Sequence, residues 1–520
     1  MRDALLDLAR AIPEGVAVGT PIAVPITAAA ISLLLGVQAR RWLSFLTLST
    51  VTVVATLLAI RVDADGPIAV QAGGWDAPFG ITLVADRLSA ALIVTSLVML
   101  LLVLLYATGQ GVTGDPYADR ATYAFHPSYM ALSAGVCFAF LTGDLFNLFV
   151  AFEVMLTASY VLFSMRADSK AVRSSMTYIV VSLLASGLFV STVGLVYAAT
   201  GTVNFAQLGS VMAQVDEPVR VALAIMLMLV FGIKAALFPL YFWLPDSYPT
   251  TPAPVTAVFA GLLTKVGVYA ILRSQLFIFD SERHITGPIL LALAGATLLF
   301  GILGAIAQNE IKRLLTFIIV SHIGFMIMGL GLHAVAAVAG AVFYIVHHIV
   351  MQTSIFCVEG LIERRTGTSQ MDKIRGLAHR SPLLAVLFAL PAMSLAGFPP
   401  FSGFVGKIAL FRAGVQESSW GIVAMAALVS LLTVFALSKV WVRSFWGKES
   451  AVVGDPDPTD ELDLGVRTVP RAMTAATVAA VAAGLAIPLF GGPLYAYSER
   501  AAQGLVSGQE YVTEVLGAQP

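Results

Sequence analysis

The chain has 520 residues, 58% of them hydrophobic and only 12% charged, with a net charge of −1. An ordinary soluble domain is roughly 25% charged, and a single soluble core stops growing near ~250–300 residues. A cytosolic enzyme, a nucleic-acid binder and a disordered scaffold are therefore excluded, and the apolar content suffices for roughly fourteen membrane crossings of about 20 residues each. Cys137 and Cys357 are far apart and form no CxxC, and no GxxxxGK[ST] loop is present. No iron–sulfur, haem, zinc or ATP chemistry is expected, and neither a cofactor nor a bound metal.

In chain order, the apolar runs fall at 18–38, 43–61, 86–108, 127–143, 145–165, 173–200, 219–243, 252–278, 286–308, 313–332, 334–362, 382–414, 420–445 and 472–490. The N-terminal stretch MRDALLDLARAIPEG carries acids and lacks the basic-then-apolar design of a cleaved signal, so the first run is expected to be a retained span. Loops after odd-numbered spans hold 17 Lys and Arg, loops after even-numbered spans six. Positive residues favour the cytoplasmic side, so odd loops are expected in the cytoplasm and both termini outside, in a multi-pass protein of the bacterial plasma membrane. Between spans two and three, residues 68–84 contain Gly73-Gly74-Trp75 and Pro78-Phe79-Gly80. They read either as a short outside hairpin with an aromatic interfacial anchor or as an irregular loop.

The expected fold is an all-α polytopic membrane protein of about 14 helices. Two spans are interrupted: the seventh at Gly232-Ile-Lys-Ala-Ala-Leu-Phe-Pro239 and the twelfth at Leu390-Pro-Ala-Met-Ser-Leu-Ala-Gly397-Phe-Pro-Pro-Phe-Ser-Gly403. Proline breaks a helix, and within a bilayer a break survives only where the freed backbone groups meet protein or water. Two breaks at corresponding places suggest inverted repeats, one over 127–280 (spans four to eight) and one over 281–446 (spans nine to thirteen). Residues 1–126 supply three further helices with the hairpin, and 447–520 a loop, the last span and a C-terminal tail.

A charge at the bilayer centre costs about 2.5–3.5 kcal/mol even on the lenient insertion scale, which makes the ionisable residues deep inside spans informative. They are Glu153, Lys234, Lys265, His322, the adjacent His347 and His348, and Lys407. A buried lysine can be a static member of an ion pair. Three central lysines against one central glutamate leave at least two without an acid, and an amine with no counter-charge in a low-dielectric site is suited to exchanging its proton. Of the two adjacent histidines, pointing about 100° apart, at most one is expected to face an interior row. Asp144, Glu359 and Lys439 lie nearer span ends, where solvated or interfacial positions are expected. Two charges 7 Å apart at an effective dielectric near 20 interact by roughly 2.4 kcal/mol, close to the ~2.3 kcal/mol of moving one charge through 100 mV. Neighbouring sites could thus hand on a protonation change at an energy matched to an ion gradient.

At these residues the sequence resembles a known family. Phe152-Glu-Val-Met-Leu-Thr-Ala-Ser-Tyr-Val161 and Gly232-Ile-Lys-Ala-Ala-Leu-Phe-Pro-Leu-Tyr-Phe-Trp-Leu-Pro-Asp246 look like the proton-translocating antiporter-type subunits of NADH–quinone oxidoreductases and Mrp multisubunit Na⁺/H⁺ antiporters. Tyr241, where respiratory relatives usually carry histidine, and the run Pro254–Ala270 make the D-type subunits of Mrp antiporters the better match. The resemblance implies fourteen helices with two inverted five-helix bundles and a place among other subunits of a hetero-oligomeric complex moving protons and Na⁺ or K⁺. It further implies an ion pair of Glu153 and Lys234 gating proton entry, a central relay at Lys265 continued by His322 and His348, and a terminal proton site at Lys407. The nearest rival is a proton-pumping subunit of a respiratory oxidoreductase or hydrogenase. A stand-alone symporter and a structural scaffold are more distant rivals, the latter having no use for the buried lysines. A reporter active only in the cytoplasm, fused to the C-terminus, should stay silent; activity would invert the expected topology.

Overall fold

The computed structural model describes residues 2–111, 123–165, 169–446 and 469–517. Among the described residues, twelve helices are long and apolar enough to cross a membrane, and Phe125–Leu141 and Pro382–Ala396 are shorter apolar ones. The loop residues Arg120, Arg166, Lys448 and Arg467 lie outside the described residues.

The helices are α1 (Arg2–Ala11), α2 (Glu14–Ser32), α3 (Val37–Asp65), α4 (Arg87–Gln110), α5 (Phe125–Leu141), α6 (Leu145–Phe163) and α7 (Ser169–Thr200). After α8 (Phe205–Met212) come α9 (Glu217–Ala235), α10 (Trp243–Ser247) and α11 (Ala253–Ile278), the last interrupted by π-helical turns at Phe259–Leu263 and Ser274–Ile278. The second half holds α12 (Arg283–Ala307), α13 (Ile311–Gly331), α14 (Val335–Thr366), α15 (Leu377–Arg380), α16 (Pro382–Ala396), α17 (Ser402–Gln416) and α18 (Trp420–Val440). The chain closes with α19 (Arg471–Leu489), α20 (Gly491–Ser507) and α21 (Gln509–Leu516).

The hairpin between spans two and three is present. Strands β1 (Ile68–Ala72) and β2 (Ile81–Ala85) pair antiparallel, with Ile68 opposite Ala85, and the connection carries Trp75 and Phe79 exposed. The C-terminal end differs from the expected tail: α20 and α21 fold back onto the hairpin end. Arg500 bonds Asp63 at 2.9 Å, Arg87 bonds Glu510 at 3.0 Å, and Glu514 accepts from the Ala69 backbone at 3.3 Å. Neither helix is long and apolar enough to span, which is why the hydropathy pattern passed over them. The amphipathic α1 is likewise held at the surface, with Arg10 bonded to Asp65.

The two halves repeat a local construction that the sequence shows only faintly. Asp144 bridges Asn204, and Glu310 bridges Gln370, each pair sixty residues apart and the second offset from the first by 166. The partner segments read Thr200-Gly-Thr-Val-Asn204 and Thr366-Gly-Thr-Ser-Gln370. In both, the first threonine's hydroxyl bonds the carbonyl of the second, Thr202 at 2.9 Å and Thr368 at 2.8 Å. In both, the glycine takes a left-handed φ, 71° and 76°. The first crossing sits against the hairpin, since Gly143 N donates to Thr82 O at 2.8 Å. Helices alternate direction, so α13 starts at the opposite end from α6 and the second crossing lies at the far face, as an inverted pair requires.

Burial separates the helices sharply. The apolar windows of α11, α13 and α14 are 100%, 94% and 89% buried, against 28–39% for peripheral helices such as α18 and α12. These three form the interior, and the lipid-facing surface belongs to the others. Close approach depends on missing side chains: a Cβ at Gly301 on α12 would overlap the backbone nitrogen of Ser321 on α13, next to His322. Gly301→Ala should therefore cost about 1–3 kcal/mol by overpacking, read as a lower unfolding temperature in detergent. Gly187→Ala, with nothing within 4 Å, should lower it little or not at all.

Candidate functional site

Both expected breaks exist, and each is closed by protein groups. Helix α9 ends at Lys234-Ala235, and Ala236 takes a left-handed φ of 61°. Leu237 N donates to Gly232 O at 2.9 Å, Trp243 Nε1 to Ile233 O at 3.0 Å, and Phe238 N to Thr297 Oγ1 at 3.0 Å. Helix α16 ends at Gly397, φ 90°. Phe398 N donates to Met393 O, and the Lys407 ammonium donates to the carbonyls of Leu395 and Ala396, both at 3.0 Å. Lys407 is thus a side-chain cap on the carbonyl end of a half-helix, where a cation is favoured by the helix dipole. The twelfth span, expected as one run over 382–414, is two helices facing one another across the break.

Lys234 reaches sideways to α7, donating to Ser182 O at 3.2 Å and Ser186 Oγ at 3.1 Å, with its nitrogen 5.6 Å from the centre of the Phe152 ring. By the 166-residue offset, Ser182 and Ser186 occupy the places of His348 and Gln352 in the second half. Lys234 also lines a cavity of about 20 Å³ with Tyr178, Ser182 and Trp243, enough for one water molecule. Glu153, on α6, is within Coulombic reach of Lys234, but the two form no ion pair within 4 Å. One carboxylate oxygen of Glu153 is buried with no hydrogen-bond partner among the described residues.

Lys265 follows the π turn of α11 and is fully buried. Its ammonium donates to Ala260 O at 2.6 Å and Thr264 Oγ1 at 3.2 Å. The π turn leaves helical carbonyls without their usual partners, and the lysine uses one of them. At the centre of that turn, a Cβ on Gly261 would overlap the hydroxyl of Thr353 on α14, so the two halves touch there without slack.

Across this contact stand the histidines. The rings of His322 (α13) and His348 (α14) are 5.4 Å apart, both fully buried, and among the described residues all four ring nitrogens lack hydrogen-bond partners. Both lie within Coulombic reach of Lys265 on one side and Lys407 on the other. Contrary to the expectation that only one of the adjacent pair would face inward, His347 is also engaged. Its Nδ1 pairs with Ser402 Oγ at 2.8 Å, at the start of α17 beyond the second break, and its Nε2 has no partner among the described residues. The two rings meet different helices, His348 facing α13 and His347 facing α17. Phe325 then separates His322 from Lys407, its ring centre 4.9 Å from the Lys407 nitrogen and 5.9 Å from the His322 ring.

Of the residues expected near span ends, Asp144 caps α6 through the Asn147 amide at 2.6 Å, and Lys439 caps α12, donating to the carbonyls of Ile306 and Gln308. Two of these positions differ from the expectation: Asp144 is buried and Glu359 wholly buried, neither solvated. Sequence reading also missed Ser182, Ser186, Gln352 and Ser402, polar residues that carry no charge to betray them in an apolar run. Elsewhere Glu217, Glu282 and His284 place ligand atoms within 4.8 Å of one another, but Arg220 already occupies Glu282 at 2.6 Å.

A model of the NADH:quinone oxidoreductase/Mrp antiporter transmembrane family matches residues 142–433, more than half of the chain. The chain belongs to this family. A relative from Alkalihalophilus pseudofirmus, named as the D subunit of a Na⁺/H⁺ antiporter, is 39% identical over 89% of this chain and 91% of its own. One of the same name from Bacillus subtilis is 37% identical over 76% of this chain and 80% of its own. Among solved structures, a chain of the Mrp complex from Dietzia sp. DQ12-45-1b superposes with a TM-score of 0.88 at 32% identity, covering 97% of this chain and 99% of that one. A chain of respiratory complex I from Thermus thermophilus shares the fold, with a TM-score of 0.76 at 24% identity over 95% of this chain and all of its own. The family's fold, a helical membrane subunit with inverted repeats and broken helices, is the one described above.

Removing the Lys407 cap leaves two buried carbonyls without donors, worth about 1–3 kcal/mol. Lys407→Ala should accelerate amide hydrogen exchange at Gly397, Phe398 and Phe401 by about ten- to a hundredfold and leave α7 unchanged.

Proposed function

We propose that this chain is the proton-translocating subunit of a multisubunit Na⁺(K⁺)/H⁺ antiporter, exchanging cytoplasmic Na⁺ for external protons across a bacterial plasma membrane. One observation carries this reading: buried amines and imidazoles run from Lys265 through His348 and His322 to Lys407, with Lys234 buried on the adjoining helix α9, and among the described residues none is neutralised by a carboxylate in contact. Each lysine is held by neutral oxygens, so each can change its charge without stranding a partnered acid in a low-dielectric interior. A structural scaffold has no reason to bear that desolvation cost three times.

Within the row, Glu153 and Lys234 act as the entry gate. Lys265 and the two histidines relay across the contact between the halves, and Lys407 is the terminal site. The names of the antiporter relatives favour antiport over the respiratory alternative, whose solved example is a likeness of fold. The chain is a transporter subunit and not a redox or hydrolytic enzyme, and it works with other subunits embedded in lipid, both of its termini outside.

Na⁺-dependent proton flux in vesicles containing the complete complex tests the assignment. Glu153→Ala and Lys234→Ala should each abolish it while the partner subunits still co-purify. Normal flux in either variant removes the gate.

A further inference from the structure

On α14 the row meets polar groups that it does not use. Gln352 is four residues beyond His348, and Glu359 a further seven; at 3.6 residues per turn all three share one helix face. That face lies on α13, where Gln352 Nε2 donates to Leu315 O at 3.2 Å and Lys312 stands 3.9 Å from Glu359 Oε2. Gln352 and Glu359 are wholly buried, and Ser369 donates to Glu359 Oε1 at 2.6 Å. Among the described residues, the other carboxylate oxygen of Glu359 and the amide oxygen of Gln352 have no hydrogen-bond partner. Beyond Glu359, Lys312 pairs at 2.5 Å with Glu363, whose side chain is 32% exposed at the face remote from the hairpin. Polar groups thus descend from solvent to the histidine pair along one seam.

The fold does not require them. The 166-residue offset places Phe146, Val193 and Val203 where Lys312, Glu359 and Ser369 stand, and the first half builds the same backbone crossing without any of the three. Burying a carboxylate with one oxygen unsatisfied is destabilising, and beside its backbone crossing the second half carries this cost at Glu359 where the first half has Val193.

We propose that Glu359 is a proton-exchange residue through which the His322–His348 pair passes protons to the solution at the face remote from the hairpin, with Gln352 as a positioning residue between them. In the direction of antiport an N–H bond of the His348 imidazolium breaks as an O–H bond forms at Glu359 Oε2, the intervening three helical turns being crossed by water between α13 and α14. That O–H bond then breaks as the proton passes Lys312 and Glu363 to water. No electrons change hands. The inference rests on the reading of the histidines as proton carriers.

The test uses the whole complex in proteoliposomes, with Na⁺-driven proton flux read by a pH dye. Glu359→Gln, which keeps the volume and the Ser369 bond, should leave partner co-purification intact. Turnover should fall by about a hundredfold, the low end of what a positioned proton-transfer group supplies, with the KM for Na⁺ unchanged. Glu359→Asp should recover part of the rate, and Ser369→Ala should lower it in the same direction. Wild-type turnover in Glu359→Gln, or equal losses in the Gln and Asp variants with partners released, overturns the proposal. Glu153→Ala and Lys234→Ala run alongside separate the two ideas: if they are inactive while Glu359→Gln is normal, only this branch falls. If they exchange normally, the underlying row falls and this proposal with it.

Discussion

An ammonium drawn into the middle of a helical bundle must be solvated by something, and in this protein backbone carbonyl oxygen does it. Lys234 takes a carbonyl of α7, Lys265 one at a π turn, and Lys407 two at the end of a broken helix. For Lys265 and Lys407 the irregularities of the fold are therefore not defects beside the charges but their ligands. Lys234 instead takes the second lone pair of a carbonyl inside regular α7. The same economy explains why the two breaks are closed differently. In the first, the indole of Trp243 and backbone amides do the work and free Lys234 to reach its neighbour. In the second, the lysine itself is the closure.

Enclosure is the second condition. The middle of the row, Lys265, His322 and His348, sits on α11, α13 and α14, the helices most completely covered by others, with Lys234 on α9 and Lys407 on α17 at its two ends. Coulombic interactions in such an interior are stronger than near a surface, so residues several ångströms apart still influence one another, as Lys265 and Lys407 do the histidines between them.

Much of this was legible in the sequence because hydrophobicity and its violations are local signals. The long spans, the hairpin, both interruptions and every charged residue of the row are visible as runs, turn residues or charges out of place. What escaped is what depends on partners distant in the chain. The crossings at Asp144 and Glu310 are backbone pairings, with only a Thr-Gly-Thr echo in sequence. The burial of Glu359 depends on Lys312 and Ser369 meeting it from two other segments, and the helices α20 and α21 are fixed by Asp63, Arg87 and β1 rather than by an apolar run. The separation of Glu153 from Lys234 is a matter of a few ångströms that no spacing rule encodes.

The touching of Gly261 and Thr353 has a mechanical corollary. It is where a helix of the first half meets one of the second with no room for even a methyl group, and Lys265 and His348 stand on either side of it. A Cβ at Gly360 on α14 would likewise overlap Ala253 on α11. Any movement of α11 against α14 therefore works against both contacts, and acts on the gap between Lys265 and His348.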